Sequence, residues 1–369
     1  MTTYYVSKAG NDSNAGTSKA APKLTINNVT LSWTHGDTVE ILDEGIYDEG
    51  DLPVNYNGLT FTHTASHLGR AKIDATGETN VFNFSNVTGT TIRGLEVYGC
   101  SSYALHNGGQ TQRTFHITGC FFHDINKLTY RAVEGNGVSD PATIFESVIY
   151  GDNQGNYSAP ILVNGQLYVR NSFITASTDG YVIKNYAGAY TTASYSTFIN
   201  RYPTTDYPVL QATKVINCIV SGTSPNLKGI ASDNHTYNLL NVGGTNFRNL
   251  ANSADGTDGE GEIGYTGSSP QFIDGTAMGS SPSVASNFQL SSSSPAVGYG
   301  TPIGIFFDLS GNVRPSGGTP GSEDNPDRGC FEFVYAPTGY GHGVLGVASG
   351  DIVKVIGVAA ADIVKVTGV

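Results

Sequence analysis

The sequence has few charged residues, few cysteines and no long apolar run, and each shortage excludes a class of protein. Charged residues make up 14% of the 369 residues, against about 25% in ordinary soluble domains. With 19 basic and 31 acidic residues, no basic stripe for nucleic acid is expected. Four cysteines are too few for a disulfide scaffold. No apolar run approaches the roughly eighteen residues of a membrane span, so no membrane insertion is expected.

Residues 1–6 have neither a basic start nor an apolar segment, so we expect no signal peptide and synthesis in a cytoplasm. The polar part of the chain is dominated by Gly, Ser, Thr and Asn, whereas Ile, Val, Phe and Tyr are too frequent for a disordered chain. This composition favours many short strands joined by small polar turns.

One six-residue pattern recurs along the middle of the chain. An apolar residue is followed by two variable residues, a small or apolar residue, one more variable residue and another apolar residue. The six copies start at Ile92, Ile117, Ile144, Val169, Ala193 and Val215. These starts are 25, 27, 25, 24 and 22 residues apart, which is a typical spacing for one coil of a solenoid.

The fourth position of this pattern is small in most copies, as a bend between two strands requires where side chains crowd inward. Its residues are Leu95, Cys120, Ser147, Ser172, Ser196 and Cys218. We therefore predict an all-β fold, a right-handed, single-stranded parallel β-helix in which these six residues align in one inward column. The two cysteines are interpreted as small core residues.

A second strand precedes the pattern in each coil. We expect its inward residues to be Leu105, Val133, Leu162, Ile183 and Leu210. Alternation then directs the following residues outward, namely His106, Glu134, Val163, Lys184 and Gln211. An asparagine follows at a similar place in three coils, Asn107, Asn164 and Asn185, which indicates a stacked column in a turn.

The two ends of this region carry a family resemblance. Residues 4–17, 22–26, 36–41 and 45–47 resemble the opening of pectate-lyase-like β-helix proteins, and residues 287–297, 308–315 and 329–333 resemble the closing segment of that superfamily. We predict a short N-terminal cap over residues 1–38 and a parallel β-helix with its closing segment over 39–333. The fold alone does not fix the chemistry, because it hosts lyases, hydrolases, epimerases and adhesins.

A short tandem repeat ends the chain. Residues 347–355 are nearly repeated at 358–366, and each copy contains Ile-Val-Lys-Val. The repeat resembles those of bacteriophage structural proteins. A flexible tail is the alternative, but strand-forming apolar segments seek partners. We expect residues 334–369 to serve assembly or attachment.

Four ionisable residues are candidates for catalysis on a polysaccharide: His106, Arg131, Glu134 and Lys184. Elimination on a uronic acid polymer needs a base and a cation, and hydrolysis needs two carboxylates. Glu134 and Lys184 would lie roughly 10 Å apart, two strand spacings. A solvated polar face explains these residues more simply.

Tyrosine is the plentiful aromatic residue, and its ring and hydroxyl suit sugar stacking. The candidate glycan-binding residues are Tyr181, Tyr186, Tyr190 and Tyr207. Four acidic residues could hold calcium, namely Asp255, Asp258, Glu260 and Glu262. Their spacing does not match an EF-hand, so a solvated acidic loop is favoured and no cofactor is expected.

Two functions fit these observations. The first is a bacteriophage virion protein, made in the host cytoplasm: a β-helical fibre, spike or decoration protein that contacts a host surface polysaccharide and other virion proteins. The resemblance implies a homo-oligomer, with a trimer favoured. The alternative is a polysaccharide lyase or glycoside hydrolase that acts on an acidic polysaccharide. The balance favours the virion protein, without catalysis.

Overall fold

The structure is a computed structural model. It describes residues 1–63, 71–85, 87–106, 114–132, 141–151, 159–176, 181–185, 189–200, 209–221, 227–228, 235–236, 238–241, 247–248, 263–265, 289–305, 307–315, 324–333, 354–355 and 358–359.

Three parallel sheets, A, B and C, run side by side along the chain. Between residues 38 and 248 the described strands follow the repeating order A, B, C. Sheet A contains β1 (Thr3–Val6), β2 (Thr38–Ile41), β5 (Thr60–His63), β8 (Thr90–Arg93), β11 (Phe115–Thr118), β14 (Ala142–Phe145), β17 (Gln166–Arg170), β20 (Tyr190–Ser194), β23 (Lys214–Ile216) and β26 (His235–Thr236). Sheet B contains β3 (Ile46–Asp48), β6 (Ala71–Asp74), β9 (Leu95–Tyr98), β12 (Phe121–Ile125), β15 (Val148–Gly151), β18 (Phe173–Ala176), β21 (Thr197–Asn200), β24 (Ile219–Ser221), β27 (Leu239–Asn241) and β29 (Ile263–Tyr265). Sheet C contains β4 (Leu52–Val54), β7 (Asn80–Phe84), β10 (Tyr103–His106), β13 (Lys127–Ala132), β16 (Ile161–Val163), β19 (Ile183–Asn185), β22 (Leu210–Gln211), β25 (Leu227–Lys228) and β28 (Phe247–Arg248).

The predicted parallel β-helix is confirmed, and so is the register of the repeat. The six pattern starts pair directly with one another from coil to coil in sheet A: Ile92, Ile117, Ile144, Val169, Ala193 and Val215. All six are buried in one continuous core. The period-two alternation of each strand sends these residues inward and their neighbours outward.

A column of left-handed residues forms the corner between sheets A and B. The third position of the pattern has a positive φ in every copy: Gly94, Gly119, Glu146, Asn171, Tyr195 and Asn217. A bulky residue rarely adopts this conformation, so Tyr195 (φ 44) is the unusual member. One left-handed residue turns the chain from one sheet into the next without a longer loop.

The column of small residues follows this corner. Its side chains fit the crowded interior and also form a ladder of hydrogen bonds between successive coils. The Oγ atoms of Ser147, Ser172 and Ser196 each accept from the backbone N–H of the column residue one coil earlier, at 3.2 Å. Each also donates to the carbonyl two residues before it. The column continues beyond its predicted end, because Asn238 accepts from the N–H of Cys218 at 2.8 Å. The small side chains therefore satisfy buried backbone groups that a bend leaves unpaired.

Replacing Ser172 by Ala should lower the free energy of unfolding by about 1–3 kcal/mol, because the buried N–H of Ser147 loses its acceptor. Ser172→Cys is the matched control, since cysteine occupies the same column at Cys120 and Cys218. Urea unfolding followed by circular dichroism measures both variants. A Ser172→Ala protein as stable as the wild type would contradict the ladder.

The N-terminal residues close one end of the core. Helix α1 (Ile26–Val29) buries Ile26 and Val29, and Trp33 packs edge-on against Phe61 with ring centroids 5.5 Å apart. Strand β1 pairs with β2, so these first residues also contribute a strand of the β-helix. Within the described ranges, no helix has the length and apolar character of a membrane span.

One sequence prediction for sheet C is wrong by one residue. Leu162 opposes Lys184 and Val163 opposes Asn185, so Val163 lies in the core and Leu162 lies on the outer face beneath Ala159 and Tyr181. Three consecutive apolar residues at 161–163 carry no alternation that could fix the phase. Asn164 and Asn185 are consequently out of register and form no column with each other. Val133, Glu134 and Asn107 lie outside the residues whose side chains are described.

The closing segment, defined here as the described residues between 289 and 332, folds back onto the outer face of sheet B. Phe331 packs against Phe173 with ring centroids 6.3 Å apart, and the N–H of Cys330 donates to Thr197 Oγ1. Two left-handed corner residues also bind this segment. The side chains of Tyr195 and Asn217 both donate to the Thr301 carbonyl at 2.6 Å.

A buried ion pair links two parts of the closing segment, and its arginine also contacts the corner between sheets A and B. Arg314 Nη1 donates to Glu332 Oε1, Arg314 Nη2 donates to Asn171 Oδ1 at 3.0 Å, and the guanidinium lies 4.2 Å from the centre of the Tyr195 ring. Burial raises the pKa of Glu332 to about 7, while the charge of Arg314 acts in the opposite direction. Because both groups are removed from water, the ion pair is stable only while the guanidinium and the carboxylate stay in contact.

The chain divides into two compact units, Met1–Glu332 and Phe333–Val369. In the second unit, β30 (Lys354–Val355) pairs antiparallel with β31 (Val358–Ala359). These strands include part of each copy of the tandem repeat.

Candidate functional site

The outer face of sheet C contains His106, one of the predicted catalytic residues. Asn83 Nδ2 donates to Asp51 Oδ1 at 2.9 Å, which orients the Asn83 amide so that its oxygen faces His106. The Oδ1–Nδ1 distance is 3.0 Å, so Nδ1 of His106 is the donor. The imidazole also stacks on Tyr103, with ring centroids 5.5 Å apart. This hydrogen-bonded chain gives His106 a fixed orientation.

Of the predicted catalytic residues, the structure describes the side chains of His106 and Lys184, and these two lie apart. Lys184 lies in the same outer column as His106 but three strand spacings away, which corresponds to about 14 Å. Its ammonium lies 5.6 Å from the centre of the Tyr181 ring. The side chain of Arg131 and the whole of Glu134 lie outside the described residues.

Two of the predicted glycan-binding tyrosines, Tyr181 and Tyr190, lie within the described residues. Tyr181 is only 4% exposed and packs with Ala159 and Leu162, so its ring offers almost no surface to a sugar. Tyr190 is 38% exposed and lies on sheet A. Tyr186 and Tyr207 lie outside the described residues, as do the predicted calcium ligands Asp255, Asp258, Glu260 and Glu262. Within the described ranges, no group of three or more His, Cys, Asp or Glu side chains is arranged to hold a metal ion.

A second group of side chains lies on the outer face of sheet B. Strand register places Lys72 beside Glu96, and Asp74 beside Tyr98 and then His123. We call the following six residues the sheet B cluster: Lys72, Asp74, Glu96, Tyr98, His123 and Asp124. It occupies β6, β9 and β12, whereas the closing segment covers the same face from β18 onward.

Glu96 and His123 form the centre of the sheet B cluster. Glu96 Oε1 lies 3.2 Å from His123 Nε2 and 3.5 Å from Lys72 Nζ. His123 Nδ1 lies 2.7 Å from Asp124 Oδ2. Asp124 has a positive φ of 48°, at the point where the pairing of β12 with β15 shifts register. This irregularity directs the Asp124 carboxylate toward His123.

Aromatic rings flank the imidazole. Tyr98 stacks on His123 with centroids 4.9 Å apart and planes within 12°, and Phe121 lies 4.4 Å away on a tilted plane. All three rings are partly exposed. The cluster therefore combines flat apolar surface with hydrogen-bonding groups at its edges.

The charge states of the cluster follow from these contacts. Burial lowers the pKa of His123, but the hydrogen bonds to Glu96 and Asp124 outweigh it, and the pKa is raised overall. Burial raises the pKa of Glu96, but the hydrogen bond from His123 and the charge of Lys72 outweigh it, and the pKa is lowered. Burial also opposes ionisation of Asp74, yet hydrogen bonds from Thr76 and Tyr98 hold its pKa below the ordinary value.

The lowered pKa values of Glu96 and Asp74 favour ionised carboxylates, which accept hydrogen bonds. Hydrolysis needs one carboxylic acid that stays protonated, whereas Glu96 and Asp74 are both held ionised. Elimination needs a group that readily accepts a proton. Burial and the nearby Asp74 carboxylate raise the pKa of the Tyr98 hydroxyl, and His123, whose pKa is raised, lies between the Glu96 and Asp124 carboxylates.

Sequence reasoning missed the sheet B cluster. Glu96 occupies the fifth position of the repeat pattern, which is variable, and Tyr98 and His123 follow the pattern at equivalent positions one coil apart. Comparison of outward positions between coils, rather than inward ones, would have placed these residues side by side.

No family model matches the chain, and no curated protein matches it. Solved structures that it is similar to include pectate lyase Pel9A, with 15% identity, a TM-score of 0.44, and coverage of 90% of this chain and 96% of that one. A rhamnogalacturonan lyase has 12% identity, a TM-score of 0.42, and coverage of 74% and 91%. The GH136 lacto-N-biosidase from Eubacterium ramulus has 10% identity, a TM-score of 0.32, and coverage of 71% and 66%.

The chain has a parallel β-helix fold. That assignment rests on the three parallel sheets and their register, and it extends to the fold only.

Proposed function

We propose that this β-helix is a glycan-binding protein and that the sheet B cluster is its binding surface. The observation that carries the proposal is the stacked pair Tyr98 and His123, bordered by the Glu96 and Asp124 carboxylates. A sugar ring has a C–H face that packs on an aromatic ring and hydroxyls that donate to carboxylates. Both surfaces are present within one small area.

The same contacts support a preorganised site. His123 is fixed by hydrogen bonds at both nitrogens and by a ring on its face, so a ligand does not have to order it. Preorganisation of this kind reduces the entropy lost on binding. No catalytic step is part of the proposal.

As a finer proposal, the protein is an oligomeric virion appendage that contacts a host surface polysaccharide. Its support is the tandem repeat of residues 347–366, whose strand-forming segments favour contact with another chain. The homo-oligomer and the virion partners belong to this same proposal.

Replacing Tyr98 by Ala should weaken glycan binding roughly tenfold, equivalent to about 1.4 kcal/mol, because the stacking surface is lost. Binding of the full chain to an array of bacterial surface polysaccharides, followed by titration calorimetry on the best ligand, measures the change. Tyr168→Ala is the matched control, since Tyr168 is a half-buried tyrosine on the outer face of sheet A. The absence of any glycan ligand, or an equal loss in both variants, would contradict the proposal.

A further inference from the structure

The two cations of the sheet B cluster are already neutralised within it. Lys72 Nζ and His123 Nε2 both approach the same atom, Glu96 Oε1, and His123 Nδ1 faces Asp124. Asp74 accepts from the N–H of Thr76 at 2.9 Å. Each of these two cations therefore already lies against a carboxylate of the same cluster.

Carboxylates stand at both ends of the aromatic surface. Asp48, Asp74, Tyr98 and His123 are consecutive neighbours in one outward column, and Asp124 follows His123. Asp48 is exposed, and the Asp124 side chain is 64% exposed. Three strand spacings separate Asp48 from His123, about 14 Å, so the Tyr98 ring lies between the exposed Asp48 carboxylate and the His123–Asp124 pair, whose carboxylate stays largely exposed.

Among the described residues of β3, β6, β9 and β12, the balance of charge on this face is negative even with His123 protonated. Asp48, Asp74, Glu96 and Asp124 outnumber Lys72 and His123, and the whole chain has a formal charge of −12. Charges act over about 10 Å at 0.1 M salt, so a sugar seated on Tyr98 is within reach of both exposed carboxylates. A uronic acid would be repelled there and an ammonium group attracted.

We infer that the sheet B cluster selects a glycan that carries amino sugars and rejects polymers of uronic acids. This inference rests on the proposed glycan-binding function and adds the chemical class of the ligand. The aromatic rings supply the stacking surface, and the exposed carboxylates of Asp48 and Asp124 supply the charge selectivity.

The test uses three oligosaccharides of equal length: glucosamine, N-acetylglucosamine and galacturonic acid. Calorimetry is carried out on the full chain at a pH at which the free sugar amine is protonated. We expect the glucosamine oligomer to bind at least tenfold more tightly than the acetylated one, and the galacturonate not to bind. The advantage of glucosamine should shrink as salt is raised, because exposed charges are screened.

The double variant Asp48→Asn/Asp124→Asn should remove the preference for glucosamine over N-acetylglucosamine. Glu40→Gln is the matched control, because it neutralises an outward carboxylate on sheet A and should leave the preference intact. Tighter binding of galacturonate, or an unchanged preference in the double variant, would overturn the charge inference. If all three oligomers bind and Tyr98→Ala weakens their binding, the proposed glycan-binding function is supported and the charge selectivity is wrong. If none of the three binds, the inferred ligand class is wrong, and the polysaccharide array then tests the proposed function separately.

Discussion

Replacing Arg314 by Met should lower the free energy of unfolding by about 3–5 kcal/mol at pH 8, the usual cost of removing one partner of a buried ion pair. The Arg314 side chain is almost fully buried. Besides Glu332, it donates to Asn171 Oδ1 and to the Gly329 carbonyl, each at 3.0 Å. The Met variant leaves these acceptors and a buried carboxylate without their donor. Urea unfolding followed by far-ultraviolet circular dichroism measures the loss.

The stability lost by the Arg314→Met variant should be smaller at pH 5 than at pH 8. Burial raises the folded pKa of Glu332 to about 7, above the ordinary value of 4.5, so its proton favours the folded state, and stability falls as the pH rises through this range. Without Arg314 the pKa rises further, and at pH 5 the folded variant holds a neutral Glu332.

Arg314→Met/Glu332→Gln is the control for this reasoning. It removes the unpaired charge and should recover part of the stability lost by the single variant at pH 8. An equal loss at both pH values, or a double variant less stable than the single one, would show that Arg314 acts through packing alone.

Truncation of Ile174 to Ala should cost about 2–5 kcal/mol, the range for removing a large aliphatic side chain from a core. Ile174 is completely buried and lies between Ile149 and Phe198 of the neighbouring coils. A stacked core cannot easily close the cavity, because strand register fixes the neighbours on both sides. Urea unfolding at neutral pH measures the change.

Ile46→Ala is the matched control for the core truncation. Ile46 belongs to the same sheet but is 52% exposed, and surface substitutions usually change stability by less than about 0.5 kcal/mol. Equal losses in the two variants would mean that Ile174 does not contribute as a core residue.

The repeat could be predicted from the sequence because burial imposes a strict alternation on each strand. The starts at Ile117 and Ile144 pair as predicted, and the column from Cys120 to Ser196 is fully buried. The phase at Leu162 was wrong because its neighbours on both sides are apolar, so either face could have been the buried one.

The binding surface and the closing segment could not be predicted in the same way. Burial does not restrict the residue types at outward positions such as Glu96 and His123, and the contact between these two residues depends on the register between coils. Arg314 and Asn171, which contact each other, are 143 residues apart in the sequence, so no short repeat in the sequence indicates their contact. Such pairings follow from the folded shape and not from any short pattern.

The closing segment also sets an order of events during synthesis on the ribosome. Phe173, Thr197 and Ile219 lie beneath residues 329–331, which are made more than a hundred residues later. At about 5–20 residues per second, this leaves the outer face of β18, β21 and β24, including the apolar Phe173 and Ile219, uncovered for about 5–30 s in each nascent chain. Exposed apolar strands of this kind are the usual targets of aggregation and of chaperones. The last residues of the β-helix thus end the period in which a newly made chain is most vulnerable.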